Sequence, residues 1–280
     1  MFKWFKEVFV DSIKEGIDEA KQEIAEEKEK ERILQEEEMK KEQIRQEENR
    51  LRILAIPYPE KFAAAIAAPF RAVYLSGWAP VFEKDESEDR ITWPLSLYSF
   101  GEADSIADEK RGELRELLAR DFDIEDGDSA LQSIASLLYA GTISERLQKY
   151  ADEDSQTLNG FLTALREAAE ADSADELASA IAAARSLKAL LSCMTAYAIT
   201  GSVDCGYLDK PFALELLADV AAYVKADFSG WQDFGEEFLA GEKSVKLNNP
   251  LGRRFLSKYV GYLHLKLGSP WRNIDWIPSV

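Results

Sequence analysis

The residues with types and spacings suited to chemistry are few and scattered. His264 is the sole histidine of the chain, so a metal site built on two histidines is excluded. It sits among Tyr262, Leu263 and Leu265, the setting of a packed, hydrogen-bonded imidazole rather than of an acid or base. Cys193 and Cys205 have no CxxC neighbour, and they read as buried free thiols rather than as zinc or redox ligands. The run Phe122-Asp-Ile-Glu-Asp-Gly127-Asp128 imitates a calcium loop, but setting Gly127 at the sixth position puts Phe122 where the first carboxylate must stand. Asp126 to Ser129 is instead the cap of a following helix. Gly241-Glu-Lys243-Ser244 fails as a phosphate loop because Glu242 separates the glycine from the lysine. GxGxxG, HExxH and GxSxG are absent. With 52 acidic residues, no single carboxylate pair is informative. The aromatics Trp231, Trp271 and Trp276, lying beside Gly230, Pro270 and Pro278, join Tyr207 and His264 as a candidate pocket or partner contact. No catalytic residue, metal ligand or cofactor follows from these patterns.

The elements that must position these residues are helices. Apolar residues make up 46% of the chain, enough for a real core. The 34 basic and 52 acidic residues give a formal charge of −18, which opposes binding a nucleic-acid backbone and would steer a basic protein toward the surface. Two cysteines fit a reducing compartment. The N-terminus lacks the continuous apolar run of a signal peptide. Ala189 to Val203, the longest uncharged stretch, falls short of a membrane span and reads as a central buried helix. The expected location is the cytoplasm.

Residues 1–55 contain no proline and one glycine, Gly16, so they read as one long charged helix. Phe2, Phe5, Phe9, Ile13, Ile17, Ala20 and Ile24 recur at steps of three and four, which makes the first five a candidate docking face. Phe2, Trp4, Phe5, Val8, Phe9 and Val10 beside Lys3, Lys6 and Lys14 also suit an anionic membrane surface, contacted through residues 1–20. Glu7, Asp11 and Glu15 cancel those charges, so docking on protein is preferred. From Glu26 to Arg50 the helix is charged throughout, with Glu26/Lys30, Glu36/Lys40 and Glu37/Lys41 at the i,i+4 spacing. Ile33, Ile44 and Leu51 are too sparse to demand a coiled coil.

Residues 56–90 read as a connecting segment whose Ala-rich stretch is broken by Pro69, Arg71 and Pro80 and packs on the main domain. Residues 91–280 read as a helical domain. Helices are expected at Arg111 to Arg120, Ser129 to Ala140, Leu177 to Thr200, after Pro211, and after Trp231 to a stop at Gly241. Capping boxes are expected at Thr142-Ile-Ser-Glu145, Ser173-Ala-Asp-Glu176 and Ser229-Gly-Trp-Gln232. Strand signals are confined to fragments such as Ile91 to Tyr98, which Pro94 interrupts. The class is all-α: a compact multi-helix domain preceded by a long charged helix.

Several stretches in the C-terminal part resemble a known family. They are Asp123-Ile-Glu-Asp before the Ala130 to Leu138 helix, Gly206-Tyr207-Leu208-Asp209 before the Pro211 helix, Phe228-Ser-Gly-Trp231 through Phe238-Leu-Ala-Gly241, and Ser269-Pro-Trp271-Arg-Asn-Ile-Asp-Trp276. Over roughly Ile91 to Val280 the chain resembles the bacterial family catalogued as domain of unknown function 1266. The resemblance implies a helical fold and a bacterial source, and it brings no established activity. Similar proteins often carry an Asp and an Arg on the helix before the Gly-Tyr element, where this chain has Leu191 and Met194. The functional expectation is a non-enzymatic protein-interaction protein, one version being an immunity protein that neutralises a basic toxin. The alternatives are an enzyme or small-molecule binder using the Trp/His pocket, and a peripheral membrane or scaffold protein acting through its first helix.

Overall fold

A computed structural model describes residues 2–75, 94–102, 106, 108–139, 174–245 and 250–277. Side chains are described for residues 28–73, 94–102, 106, 108–137, 182–244 and 250–277. Helix α1 (Phe2–Ala55) is followed by α2 (Tyr58–Leu75), a short 3-10 turn (Leu95–Leu97), α3 (Asp108–Phe122) and α4 (Gly127–Tyr139). Then come α5 (Ala174–Asp204), α6 (Lys210–Asp227), α7 (Trp231–Val245), α8 (Pro250–Leu265) and the single turn α9 (Pro270–Asn273). Among the described residues there is no strand, and the fold is all-α as the periodicity requires. The chain divides into two units, Met1–Leu51 and Arg52–Val280.

The first unit is helix alone. Where its side chains are described, ion pairs form at the i,i+3 spacing, Arg32–Glu29, Arg45–Glu42 and Arg50–Glu47, and of the expected i,i+4 pairs Glu26/Lys30 lies outside the described side chains. Exposed pairs of this kind contribute little to stability, because water and salt screen them. Ile33, Leu34, Met39, Ile44 and Leu51 are all exposed. The candidate docking face Phe2, Phe5, Phe9, Ile13 and Ile17 lies outside the described side chains.

The second unit is built around α2, and here the structure departs from the expected break at Pro69. The helix runs straight through that proline, and every residue from Phe62 to Val73 is buried. Ala63, Ala64, Ala65, Ala67 and Ala68 keep its surface low, so α5, α6 and α8 all pack directly against it. What reads from sequence as a connector is the axis of the core.

Helix α5 is the second central element, buried almost continuously from Ala189 to Cys205, in agreement with the uncharged stretch noted above. Its most extensive partner is α7. The contact is close because Gly241 lies within it: a Cβ there would stand 2.3 Å from the Ser186 carbonyl oxygen. Gly241 therefore does not stop α7, which continues to Val245. Its role is close approach rather than termination. Gly201 of α5 does the same against Leu118 of α3, where a Cβ would sit at 3.3 Å.

Caps follow the expected chemistry with one shift of register. Asp126 and Ser129 reciprocate at the start of α4, Ser129 N donating to Asp126 Oδ1 at 2.8 Å and Asp126 N to Ser129 Oγ at 2.9 Å. Pro211 occupies the first turn of α6. At α7 the partner of Ser229 is Asp233, not Gln232, because the helix begins at Trp231. The Thr142–Glu145 box and Ser173 lie outside the described residues. Of the strand-like fragment ending at Tyr98, the described part is the 3-10 turn.

Gly241→Ala is expected to destabilise the protein by about 2–3 kcal/mol, because backbone rather than a flexible tip opposes the new methyl group. Gly112→Ala, on exposed α3 with nothing within 4 Å, should be neutral or stabilising by up to about 1 kcal/mol. Urea unfolding of both variants checks the pair.

Candidate functional site

The residues singled out from sequence separate into two places. Trp231, Trp271, Trp276 and His264 come together at one corner where α2, α7, α8 and α9 meet. The Trp231 and Trp271 rings stack at 5.7 Å with 9° between planes, and Trp276 meets Trp231 edge-on at 4.8 Å. His264 lies 4.7 Å from Trp271, and both press on Gly235, where a Cβ would come within 2.7 Å of each. Burial lowers the His264 pKa, against the opposing pull of Glu236, so the imidazole is neutral at physiological pH. Tyr207 is not a member of this corner. Its carbonyl oxygen instead abuts Gly127 at the start of α4, 2.9 Å from where a Cβ would be.

The corner is filled by its own rings. Phe62 of α2 contacts Trp231 at 4.8 Å and Trp276 at 5.4 Å, and Phe234 meets Trp271 at 6.1 Å. Both buried indole N–H groups are spent on backbone: Trp231 Nε1 donates to Ile274 O at 2.7 Å and Trp271 Nε1 to Ala65 O at 2.8 Å. The second bond explains how α2 survives Pro69. A proline has no N–H to give to the carbonyl four residues back, and that carbonyl is Ala65 O. Trp271 supplies the missing donor.

The indole is aimed by its local sequence. Ser269 caps α9, accepting from Trp271 N at 3.2 Å while its own hydroxyl donates to Leu263 O at 2.5 Å. Pro270 fixes the first turn. Asn273 Nδ2 closes the loop by donating to Leu267 O, Ser269 O and Tyr98 Oη. Beside the corner, Lys225 Nζ stands over Phe62 at 4.1 Å and donates to Tyr58 Oη at 3.1 Å. Burial pushes its pKa down.

A second constellation falls outside the residues singled out from sequence. Arg71, wholly buried in α2, pairs with Asp204 at the end of α5 at 2.8 Å, both side chains being almost completely inaccessible. The guanidinium also donates to Ser96 O and Ser99 O. The other Asp204 oxygen accepts from Gly101 N at 2.6 Å. Glu60 accepts from Ser99 Oγ at 2.7 Å and pairs with Lys210 at 2.9 Å, and Lys210 reaches on to Glu102 at 2.8 Å. The network ties the 3-10 turn to both central helices, and each of its buried charges has an opposite partner within it. Arg71 was read as a helix breaker among alanines; the signal available was a lone cation inside an otherwise apolar helix face, which demands a buried acid.

A third cluster links α5 to α7. Arg185 forks onto Asp233 and Glu237, each at 2.6 Å, and stands 4.9 Å from the Phe228 ring centre. Burial pushes the Asp233 carboxyl up, but hydrogen bonds from Arg185 and Ser229 more than offset this and hold it below the ordinary 3.8. Cys193 and Cys205 are free and buried, and burial raises both thiols, Cys205 to about 11. Among the described residues no group of three or more His, Cys, Asp or Glu side chains is placed to hold a metal ion. No described helix is long and apolar enough to cross a membrane.

Residues 117–276 match the family described as "Protein of unknown function (DUF1266)". The chain belongs to that family. The match starts later than the Ile91 suggested by the resemblance, within α3. No curated protein and no solved structure matches the chain. Placed on the fold, the motifs of the family resemblance are largely contacts within the protein. Asp123-Ile-Glu-Asp turns through a positive φ of 55° at Asp123, buries Ile124 and caps α4. The Gly206 element turns at φ 79° and lays Tyr207 O on Gly127. Ser-Pro-Trp serves α2. Leu191 is buried, and Met194 is half-buried against the core.

Trp271→Phe should cost about 2–4 kcal/mol, since it leaves Ala65 O without its donor and removes indole contacts. In a Pro69→Ala background, which restores an amide at position 69, the same change should cost about 1 kcal/mol less. A double-mutant cycle in urea measures the coupling; additivity would refute the assignment. For Asp233 the folded pKa is depressed, so its contribution is full above the unfolded value and is lost as pH falls through the folded one. Asp233→Asn should therefore lower the thermal midpoint at neutral pH and flatten its decline below about pH 4.

Proposed function

We propose that this protein is a non-enzymatic binding module whose acidic α3–α4 face receives a basic protein partner. One observation carries the reading: between Asp108 and Asp128 the carboxylates Asp108, Glu109, Glu113, Glu116, Asp121, Asp123, Glu125, Asp126 and Asp128 are all exposed. Only Lys110, Arg111, Arg115 and Arg120 oppose them. Such a face accelerates encounter with a cationic partner and supplies specificity more than raw affinity.

The interior supports the same reading. Indole donors, the buried arginine and the neutral histidine are occupied in holding helices together, which leaves the surface as the place of action. In its specific form the proposal is an immunity protein in the bacterial cytoplasm, covering the active site of a basic toxin. The free, buried thiols are consistent with a reducing compartment.

Affinity capture from the source bacterium with the full chain is expected to recover a basic protein. Its association rate should fall at least roughly tenfold in Glu113→Lys/Glu116→Lys and fall again with added salt. Recovery of no specific partner, or a rate indifferent to both carboxylates and salt, would sink the reading.

A further inference from the structure

The charge of the chain is not spread evenly. From Lys243 to Ile274 there are seven basic residues and no aspartate or glutamate, which leaves 34 − 7 = 27 basic against 52 acidic residues elsewhere. Helix α8 lies inside this stretch. Its buried side is Leu256, Tyr259, Val260 and Leu263. The opposite side, by helical spacing, is Leu251, Arg254, Lys258, Tyr262 and Leu265, at steps of three and four that confine them to one narrow stripe.

The stripe is apolar as well as cationic. Leu251 is 61% exposed and Leu265 73%, and the chain that follows adds exposed Leu267 and Ile277. Among the described residues of the second unit beyond α1, these four are the large apolar side chains left in water. Leu251, Leu265 and Leu267 fall within the one acid-free segment, and such exposure calls for a covering surface.

We propose that the outer face of α8, continued through Leu267, is a docking surface for an anionic lipid bilayer. Charge selects the occupant. A second copy paired through the same face would set Arg254 and Lys258 against their own equivalents, which is repulsive. An anionic headgroup layer complements them. The distribution of apolar side chains also favours a plane. Leu251 and Leu265 stand at opposite ends of the helix, about 21 Å apart at 1.5 Å per residue, with cations between them rather than a central aromatic anchor of the kind a protein groove receives. The formal charge of −18 does not forbid this contact. At physiological salt the screening length is about 8 Å, so the local face outweighs more distant carboxylates.

The test uses the full chain in flotation with vesicles of phosphatidylcholine alone or mixed equally with phosphatidylglycerol. Binding to the mixed vesicles only is expected, weakening as salt rises. Each basic residue at such a surface contributes about fivefold, so Arg254→Gln/Lys258→Gln should lower the partition coefficient roughly 25-fold. Leu251→Ser/Leu265→Ser should lower it too, and every changed side chain is exposed, so circular dichroism should remain that of the parent. Lys110→Gln/Arg120→Gln, on the acidic face, should bind like the parent. The proposal is overturned if the parent ignores anionic vesicles, if the Arg254/Lys258 variant binds undiminished, or if the control variant loses as much. It is equally overturned if the stripe variants lose an acidic protein partner while keeping vesicle binding. Failure of the acidic-face reading would leave these outcomes untouched, because the two surfaces share no residue.

Discussion

A helix buried on all sides must find a partner for each polar group it carries, and between Phe62 and Val73, where it is buried throughout, α2 carries two that its own backbone cannot serve. Pro69 deprives Ala65 O of its helical donor, and Arg71 brings a full charge into the interior. Left alone, the first would cost about 1–3 kcal/mol and the second several more. The remainder of the second unit is arranged so that neither is left alone. Trp271 reaches in from α9 for the carbonyl, and Asp204 with the carbonyls of Ser96 and Ser99 surrounds the guanidinium.

Those two demands fix elements far apart in sequence. The Ser-Pro-Trp turn must hold its indole at one angle, which accounts for the serine cap, the proline and the asparagine that binds the loop. The end of α5 must place a carboxylate beside α2, and the segment from Pro94 to Gly101 must fold back to offer its carbonyls. Close approach of α5 and α7 through Gly241, and of α5 and α3 through Gly201, then seals the remaining faces. The family resemblance motifs thus read as joints of a scaffold.

Much of this architecture was legible in the residues. Helical spacing identified α3 to α7 to within a few positions, and the Asp126–Ser129 cap and the Pro211 first turn follow from rules that act over four residues. Errors arose where a distant partner overrides a local rule. Pro69 breaks a helix unless some other donor serves Ala65, and nothing near position 69 announces an indole 202 residues away, at Trp271. Gly241 stops a helix unless a neighbouring backbone needs its missing Cβ. Trp231, Trp271, Trp276 and His264 lie together because they are aromatics of the last helices, which fold on one another. Tyr207 was misplaced because its turn belongs to the α4 side. Arg71 and Asp204 were missed since long-range ion pairs leave no periodic trace.

The Pro69–Trp271 relation constrains more than this one molecule. Positions 69 and 271 are able to drift only in a certain order: an amide proton must return to α2 before the indole can be given up without penalty, whereas the reverse sequence passes through a weakened ancestor. Position 69 lies outside the matched segment 117–276, so a fragment trimmed to those limits would keep the plug and discard the socket, together with the helix about which its other parts are wound.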